Sequence, residues 1–480
     1  MTKRRFPIYL VCFAILIQVF PAWGTESIHL VILHVNDTHG LLLPYDTEEA
    51  KDMYGIARMA TRIKEIRKEN EGRTLVLHAG DVFSRGDLLT VHYGGKINLM
   101  AMAEAGYDAL TPGNGDFYFG SENLMQQTSQ ARFPVLLANV FYKENGKRLF
   151  QPYVIKEMAG VKIAILGLGF IRLSHPSGWP LDLKDPVETA REYLPILQDK
   201  ADIVIALTHI GLNEDKRLAA AVPQIDIIVG GHSHSKIDTP LRIPGEDGKG
   251  DVIVVQAGDY GKYLGRLDLH LRSDESGKYN VMGVEGKLLS IDSQIREDQE
   301  VANLLERYSE PLSEVICISE IALEHPNEGT SPMGNFVAEA LRAGIYADAT
   351  LLDRGAAQRG ITQGEVSIAD VCQIHPWWNR VVELTLTGSE LQQILVGQDI
   401  YTSGITYSNI DGRIEDLKIG RQPAEPDREY KIAAGEYLLS IIPSLREVPS
   451  KNTGERVDTI LMKHLQRLAV IKGTTRIDEH

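Results

Sequence analysis

Apolar positions along the chain fall into short runs that alternate with amphipathic stretches. Residues 28–35 form a buried-type strand ending in Asn36-Asp37-Thr38-His39-Gly40. Residues 55–68 place Ile56, Met59, Ile63 and Ile66 at helical spacing on one face. A second strand over 73–78 ends in Ala79-Gly80-Asp81. A helix over 95–106 and a strand over 108–111 lead into Pro112-Gly113-Asn114-Gly115-Asp116-Phe117-Tyr118-Phe119-Gly120. The pattern next predicts a strand over 134–139, a hairpin around Glu144-Asn145-Gly146, a strand over 161–168 and a helix over 185–199. The strand over 203–207 ends in Thr208-His209, and that over 225–229 in Gly230-Gly231-His232-Ser233-His234. Strands near 252–257, 263–271 and 279–289 complete this half.

The second half opens with a charged, helix-forming linker over 291–310. Ser331-Pro332-Met333-Gly334-Asn335-Phe336 starts a helix reaching about residue 343. A strand over 349–352, a turn at 366–370, a strand over 380–386, a helix over 388–396, a strand over 429–434 and an amphipathic helix over 455–469 follow. Strands alternating with helices, then meander-like strands, predict a layered α/β sandwich, with an α+β domain after it.

Composition sharpens this. A chain of 480 residues exceeds one ordinary core, so two domains are expected, over 25–290 and 311–480. A net charge of −15 argues against a nucleic-acid polymer as partner, while leaving room for local cationic pockets that take small anions. Residues 1–24 read as a signal peptide: Lys3-Arg4-Arg5, an apolar run over 9–20 too short for a stable membrane anchor, then Ala22-Trp23-Gly24. A periplasmic or secreted location follows. Cys12 would leave with the signal; Cys317 and Cys372 would remain, as a disulfide or as two separate buried thiols.

The chemistry sits at the strand ends, where open α/β sheets place their sites. Asp37, His39, Asp81, Asn114, His209, His232 and His234 all lie there. Oxygen and imidazole ligands in this mixture suit Zn, Mn or Fe better than Ca. Seven ligands exceed the needs of one ion, so two divalent ions sharing a carboxylate are the simplest reading. Such a pair activates a water and clamps the group being displaced.

Asn-Asp-Thr-His-Gly (36–40), Ala-Gly-Asp-x-x-Ser-x-Gly (79–86), Pro-Gly-Asn (112–114), Thr-His (208–209) and Gly-Gly-His-Ser-His (230–234) resemble the calcineurin-like metallophosphoesterase domain of the 5′-nucleotidase family. Segments 334–342, 353–359 and 376–391, the last with Leu384-Thr385-Leu386-Thr387-Gly388, resemble that family's substrate-binding domain more loosely. The resemblance implies a four-layer α/β/β/α sandwich plus a C-terminal α+β substrate-binding domain. It implies two divalent ions, Mn or Zn, one held by Asp37, His39 and His234 and the other by Asn114, His209 and His232, with Asp81 between them. It implies a catalytic part for Asp81 and Asn114, a small anionic, nucleotide-like phosphate ester as substrate, and attack on phosphorus by a metal-bridging hydroxide.

The pattern also departs from the family. Its phosphatases read Gly-Asn-His-Glu/Asp-Phe-Asp where this chain has Gly115 and Tyr118 in place of the His and the final Asp. That dyad helps the leaving oxygen, and acid–base help is worth roughly a hundred- to ten-thousand-fold. By type, His34, His78, His92 and His175 are candidate substitutes; His34 and His78 read as packed strand residues, and His92, shortly after Asp81, stands first. Trp377 of Pro376-Trp377-Trp378-Asn379 is placed to stack on a substrate, or else packs as core; Arg359 or Arg354 is placed for anion contact, or else is solvated. No Gly-Gly-Asp-Gly loop follows residue 438. Two alternatives stand beside the phosphoesterase. One is a thiosulfohydrolase-like enzyme, similar to that branch of the periplasmic sulfur-oxidising (Sox) system, releasing sulfate from a sulfur chain on a carrier protein. The other is a metal-retaining binding protein with little turnover.

Overall fold

The computed structural model describes residues 26–48, 51–84, 86–246, 248, 250–326 and 331–473. The expected signal over 1–24, with Cys12, lies outside them. Among the described residues no helix is long and apolar enough to cross a membrane.

Two sheets stack face to face in the first half. One orders its strands Tyr279–Ser290, Tyr263–Ser273, Ser27–Val35, Thr74–His78, Ala109–Leu110; the other Leu241–Pro244, Asp251–Val255, Ile227–Val229, Ile203–His209, Val161–Gly169, Tyr153–Met158. Their strands carry near-continuous apolar runs because each face meets a different layer. Leu30 and Ile32 enter the core between the sheets, while Val31, Leu33 and Val35 face the helices Ile56–Glu69 and Lys96–Ala105. In the second sheet Ile203, Ile205 and Leu207 point inward, and Val204 and Ala206 meet the helices Pro186–Lys200 and Leu212–Ala221. The result is a four-layer α/β/β/α sandwich. Because side chains alternate with period two, a one-residue slip would exchange the two faces of a strand. The parallel register Val31↔Thr74 to Val35↔His78 brings the Asp37 and Asp81 turns out at the same edge.

The segment over 134–139 is extended but joins no ladder. Leu110 N–H donates to the Pro134 carbonyl and Leu136 N–H to the Leu110 carbonyl, whereas Leu137 and Ala138 donate to Gln151 and Gly167 of the other sheet. The chain changes sheets within four residues, so its hydrogen bonds cannot accumulate on one partner. The hairpin around 144–146 forms, with Phe141 opposite Arg148 and Tyr142 N–H on the Lys147 carbonyl, and its Val140–Tyr142 arm pairs on its other side with Leu181–Leu183. Expected turn 366–370 is instead a strand Gly364–Ser367 and a helix Ile368–Ile374 capped by Ser367 and Asp370.

The second half builds a five-stranded sheet, Ile400–Ser403, Ala349–Asp353, Glu429–Gly435, Arg380–Thr387, Ser450–Arg456. Helices Pro332–Ile345 and Val457–Leu468 cover one face through Val337, Leu341, Leu461 and Leu465. Helix Gly388–Leu395 covers the other through Leu391 and Ile394. Cys317 and Cys372 are both buried free thiols. The helix Gln299–Ser309 lays Val301, Leu304 and Leu305 into the core of the first half.

Trp378 ties the halves together. Its indole N–H donates to the Val91 carbonyl, its ring lies 5.3 Å from that of Phe119, and the Arg456 guanidinium sits 3.7 Å over it. The ring fits because Gly94, at φ +59°, carries no side chain: a Cβ there would stand 2.2 Å from the indole. Gly94→Ala therefore forces Trp378 out as well as straining the backbone. We expect it to lower stability by about 1–3 kcal/mol in denaturant unfolding; a change under about 0.5 kcal/mol, the range of neutral surface substitutions, would show that Trp378 is not seated there.

Candidate metal centre

Five of the seven strand-end residues adopt left-handed backbone: Asp37 (φ 51°), His39 (50°), Asp81 (55°), His232 (76°) and His234 (54°). Each such residue without glycine's freedom costs about 1–3 kcal/mol and persists only where surroundings enforce it. Here they do. Asp37 N–H donates to the Gly80 carbonyl (2.9 Å), His39 N–H to that of Asp81 (2.8 Å), and Tyr260 N–H to that of Asp37 (2.7 Å). Asn36 pins the same turn, donating to Gly258 O (2.6 Å) and accepting from Ala257 N–H (2.7 Å). The geometry turns the side chains back over the sheet edge.

Second partners orient the imidazoles, as ligand histidines require. His209 Nδ1 meets the Ala79 carbonyl at 2.6 Å, leaving Nε2 to the centre. His39 Nδ1 lies 2.8 Å from Ser84 Oγ, and His234 Nδ1 3.3 Å from an Asp259 carboxylate oxygen. His39 and His234 then aim Nε2 at one point, 2.8 Å apart. His232 is set by its backbone N–H, which donates to Asp37 Oδ2 (2.9 Å), and its ring lies 5.2 Å from that of His209. Thr208 donates to buried Asp215 (2.6 Å), which also accepts from Gln256 (2.9 Å); Gln256 in turn accepts from Ser233 (3.0 Å), coupling the His209 and His232 loops.

The oxygens and nitrogens left over converge. Asp37 Oδ1 lies 3.4 Å from His234 Nε2, 3.8 Å from His39 Nε2 and 3.9 Å from His209 Nε2; Asp81 Oδ1 lies 3.3 Å from His209 Nε2. Two clusters of ligand spacing result, Asp37 with His39 and His234, and Asp37 with Asp81 and His209. Asp37 thus stands beside Asp81 between them. Asp37 Oδ1, His209 Nε2 and Asn114 Oδ1 are buried and accept or donate no hydrogen bond. A native interior leaves few such atoms unpaired, and Asp37 Oδ1 and His209 Nε2, 3.9 Å apart with Asp81 in the same cluster, fit a cation. The electrostatics agree. Burial opposes charge on His209, yet Asp81 and Asp37 outweigh it and push its pKa up to about 10. The Asp259 and Asp37 carboxylates beside His234 raise its pKa to about 10 as well. The carboxylates thus make this a place that favours positive charge.

The other predicted residues separate. His34 and His78 are buried in their strands, and burial pushes their pKa down to about 4 and about 3. His92 sits at the junction of the halves, with Nδ1 3.7 Å from the Cys372 sulfur, away from the centre. His175, ranked below it from sequence, instead lies against Tyr118 with ring centroids 5.0 Å apart. Both line a cleft between the halves together with Phe119, Arg172, Trp377 and Tyr437. Trp377 has its indole N–H on Gly355 O (3.0 Å), which turns its ring to the cleft wall. Arg359 is exposed and is not among the side chains lining this cleft, and Arg354 stacks over Tyr401 at 4.6 Å. Sequence reasoning missed Asp215, Gln256 and Asp259, which carry no motif, and Arg172, which lies in an irregular loop.

A calcineurin-like phosphoesterase family model matches residues 30–236, and one for the 5′-nucleotidase C-terminal domain matches residues 310–441. The 5′-nucleotidase of Vibrio cholerae is 29% identical over 480 aligned positions, covering 86% of this chain and 85% of that protein. The crystal structure of the 5′-nucleotidase precursor from Thermus thermophilus superposes with a TM-score of 0.58 at 25% identity, covering 93% of this chain and 97% of that one. The Thermus thermophilus sulfate thiohydrolase SoxB shares the fold at a TM-score of 0.54 and 19% identity, over 94% and 95% of the two chains. With one model matching each half and relatives matching across both, residues 30–236 are a calcineurin-like phosphoesterase domain, residues 310–441 are a 5′-nucleotidase C-terminal domain, and the chain as a whole is similar to the two-domain 5′-nucleotidases.

Proposed function

We propose that this protein is an exported, metal-dependent phosphoric ester hydrolase acting on small nucleotide-like phosphate esters. One observation carries the reading: Asp37, Asp81 and His209 cluster at ligand spacing, with Asp37 Oδ1 and His209 Nε2 buried and making no hydrogen bond. Asp37, His39 and His234 would hold one divalent ion, Mn or Zn, and Asn114, His209 and His232 a second, with Asp81 between. Bound ions of this kind neutralise phosphoryl oxygens and lower the pKa of water. The chain's own part is positional. Ser84, Ala79 and Asp259 fix the rings of His39, His209 and His234, so the site is preorganised and little is spent on rearrangement at the moment of reaction. The leader-like residues 1–24 support export.

Gly115 marks what this chain lacks. Its N–H donates to Asp81 Oδ1 (2.6 Å), and a Cβ there would lie 2.5 Å from Ser84 Oγ and 3.0 Å from Asp81 Cγ. No side chain fits without displacing the residue that holds His39. The missing imidazole is the observation favouring a second reading, release of sulfate from a thiosulfonate conjugate, whose leaving group needs less acid help.

Reconstituted protein is expected to hold close to two Mn or Zn ions per chain by elemental analysis, with His209→Ala losing at least one and melting lower than the loaded parent. Less than one ion per chain in the parent would end the reading. Screened against a nucleoside monophosphate, a phosphodiester, a phosphoanhydride and a thiosulfonate, the loaded enzyme should release phosphate and stop on chelation; sulfate release alone would transfer the assignment to the second reading. Gly115→Ala is expected to destabilise by about 1–3 kcal/mol and to lower metal content. If Gly115→His instead left both unchanged, Ser84 would not occupy the space described.

A further inference from the structure

Hydrogen bonds already made in the interdomain cleft define which protons remain free. Asn114 Nδ2 donates to the Tyr118 hydroxyl oxygen at 3.1 Å, so the phenolic proton is not used on that partner. Ser177 N–H donates to His175 Nδ1 (3.3 Å), with Ser177 Oγ 2.7 Å from the same nitrogen. That makes Nδ1 an acceptor and leaves the ring proton on Nε2. Burial, aided by the Arg172 charge, lowers the His175 pKa to about 4, which keeps the ring neutral. The Arg172 guanidinium stands 6.0 Å from the Tyr118 ring, exposed at the cleft wall, and enters no ion pair among the described residues. Trp179 of the same loop packs on the core of the second half, with Arg446 4.9 Å over its ring, so both halves fix the loop's position.

We propose that Tyr118 and Arg172 bind the departing oxygen of the substrate beside the metal centre, and that His175 is the positioning residue that holds the Tyr118 ring in place. The inference rests on the hydrolase reading above. In the step implied, water oxygen forms the new bond to phosphorus and its proton passes to solvent. The bond from phosphorus to the leaving oxygen breaks, and that oxygen takes the electron pair. The phenol and the guanidinium stabilise it by donation without transferring a proton, and solvent protonates it after departure. The favoured substrates are then esters whose leaving groups are stable as anions, such as aryl phosphates, over simple alkyl phosphates.

The test uses the metal-loaded full chain and a series of aryl phosphates of rising leaving-group pKa, ending in an alkyl phosphate. Arg172→Ala should lower kcat/KM about ten- to a hundredfold, with Arg172→Lys recovering part of it, because a hydrogen bond to a charged group is worth about 1.5–3 kcal/mol. Tyr118→Phe and His175→Gln should steepen the fall of kcat with leaving-group pKa, a change that loss of folded protein cannot produce. Calorimetric titration with 4-nitrophenolate, the departing anion itself, gives a readout independent of turnover; Arg172→Ala should weaken it severalfold. Slopes and affinity unchanged within twofold in all variants would overturn the proposal. A loaded parent that turns over no member of the series would instead remove the hydrolase reading, while its 4-nitrophenolate affinity would still decide whether Arg172 binds the departing anion.

Discussion

Four backbone N–H groups converge on one buried carboxylate. Asp116 accepts from Gly113 (2.7 Å) and Asp81 (2.9 Å) on one oxygen and from Val82 (2.7 Å) and Phe83 (2.8 Å) on the other. It thereby joins the turns that follow two neighbouring strands, Thr74–His78 and Ala109–Leu110. Asp81 and Asn114 keep their places through it. Burial next to Asp81 pushes the Asp116 pKa up to about 7, against the pull of the N–H donors. Without that carboxylate, four buried donors would lose their acceptor, at about 1–3 kcal/mol each. The left-handed turn at Asp81 is held further by His39 N–H on the Asp81 carbonyl (2.8 Å) and Gly115 N–H on Asp81 Oδ1 (2.6 Å).

The first half could be read from its residues because physics repeats there. Strands that separate two different apolar layers must be apolar on both faces, and the runs at 28–35 and 203–207 show it plainly. Polar residues that break such runs then stand at the sheet edge by necessity, so Asp37, His39, Asp81, His209, His232 and His234 could be named as a group. Segment 134–139 misled for the same reason: it is as apolar as a strand, but its hydrogen bonds go to two sheets. Strands Ile405–Ile410 and Arg413–Ile419 escaped notice because much of their surface is exposed and their sequence is mixed.

Residues that act through tertiary contact were harder to see. His92 is near Asp81 in sequence, but the helix Leu88–Tyr93 carries it to the junction of the halves. His175 is 61 residues beyond Asn114 in number, yet it follows a strand of the second sheet that ends at the same edge. Sequence proximity lost to sheet topology. Cys317 and Cys372 illustrate a related limit. Both are buried, Cys317 within a hydrophobic core and Cys372 against His92, and nothing in their spacing distinguishes such separate thiols from a disulfide.

The empty position at Gly115 links the metal centre to the cleft. An imidazole there would have to share space with Ser84, whose hydroxyl orients His39. Ligand orientation and an acid at residue 115 therefore compete for one volume, and this chain resolves the competition in favour of the ligand. The cleft beyond carries what a leaving group meets next: a phenol tied to Asn114, a neutral imidazole and a guanidinium that enters no ion pair among the described residues. A phenol and a guanidinium differ from a histidine or carboxylic acid in giving up no proton readily, but both are good hydrogen-bond donors to an anion. Chemistry at such a site is governed by how well the departing oxygen bears its charge, which turns specificity into a property of the leaving group.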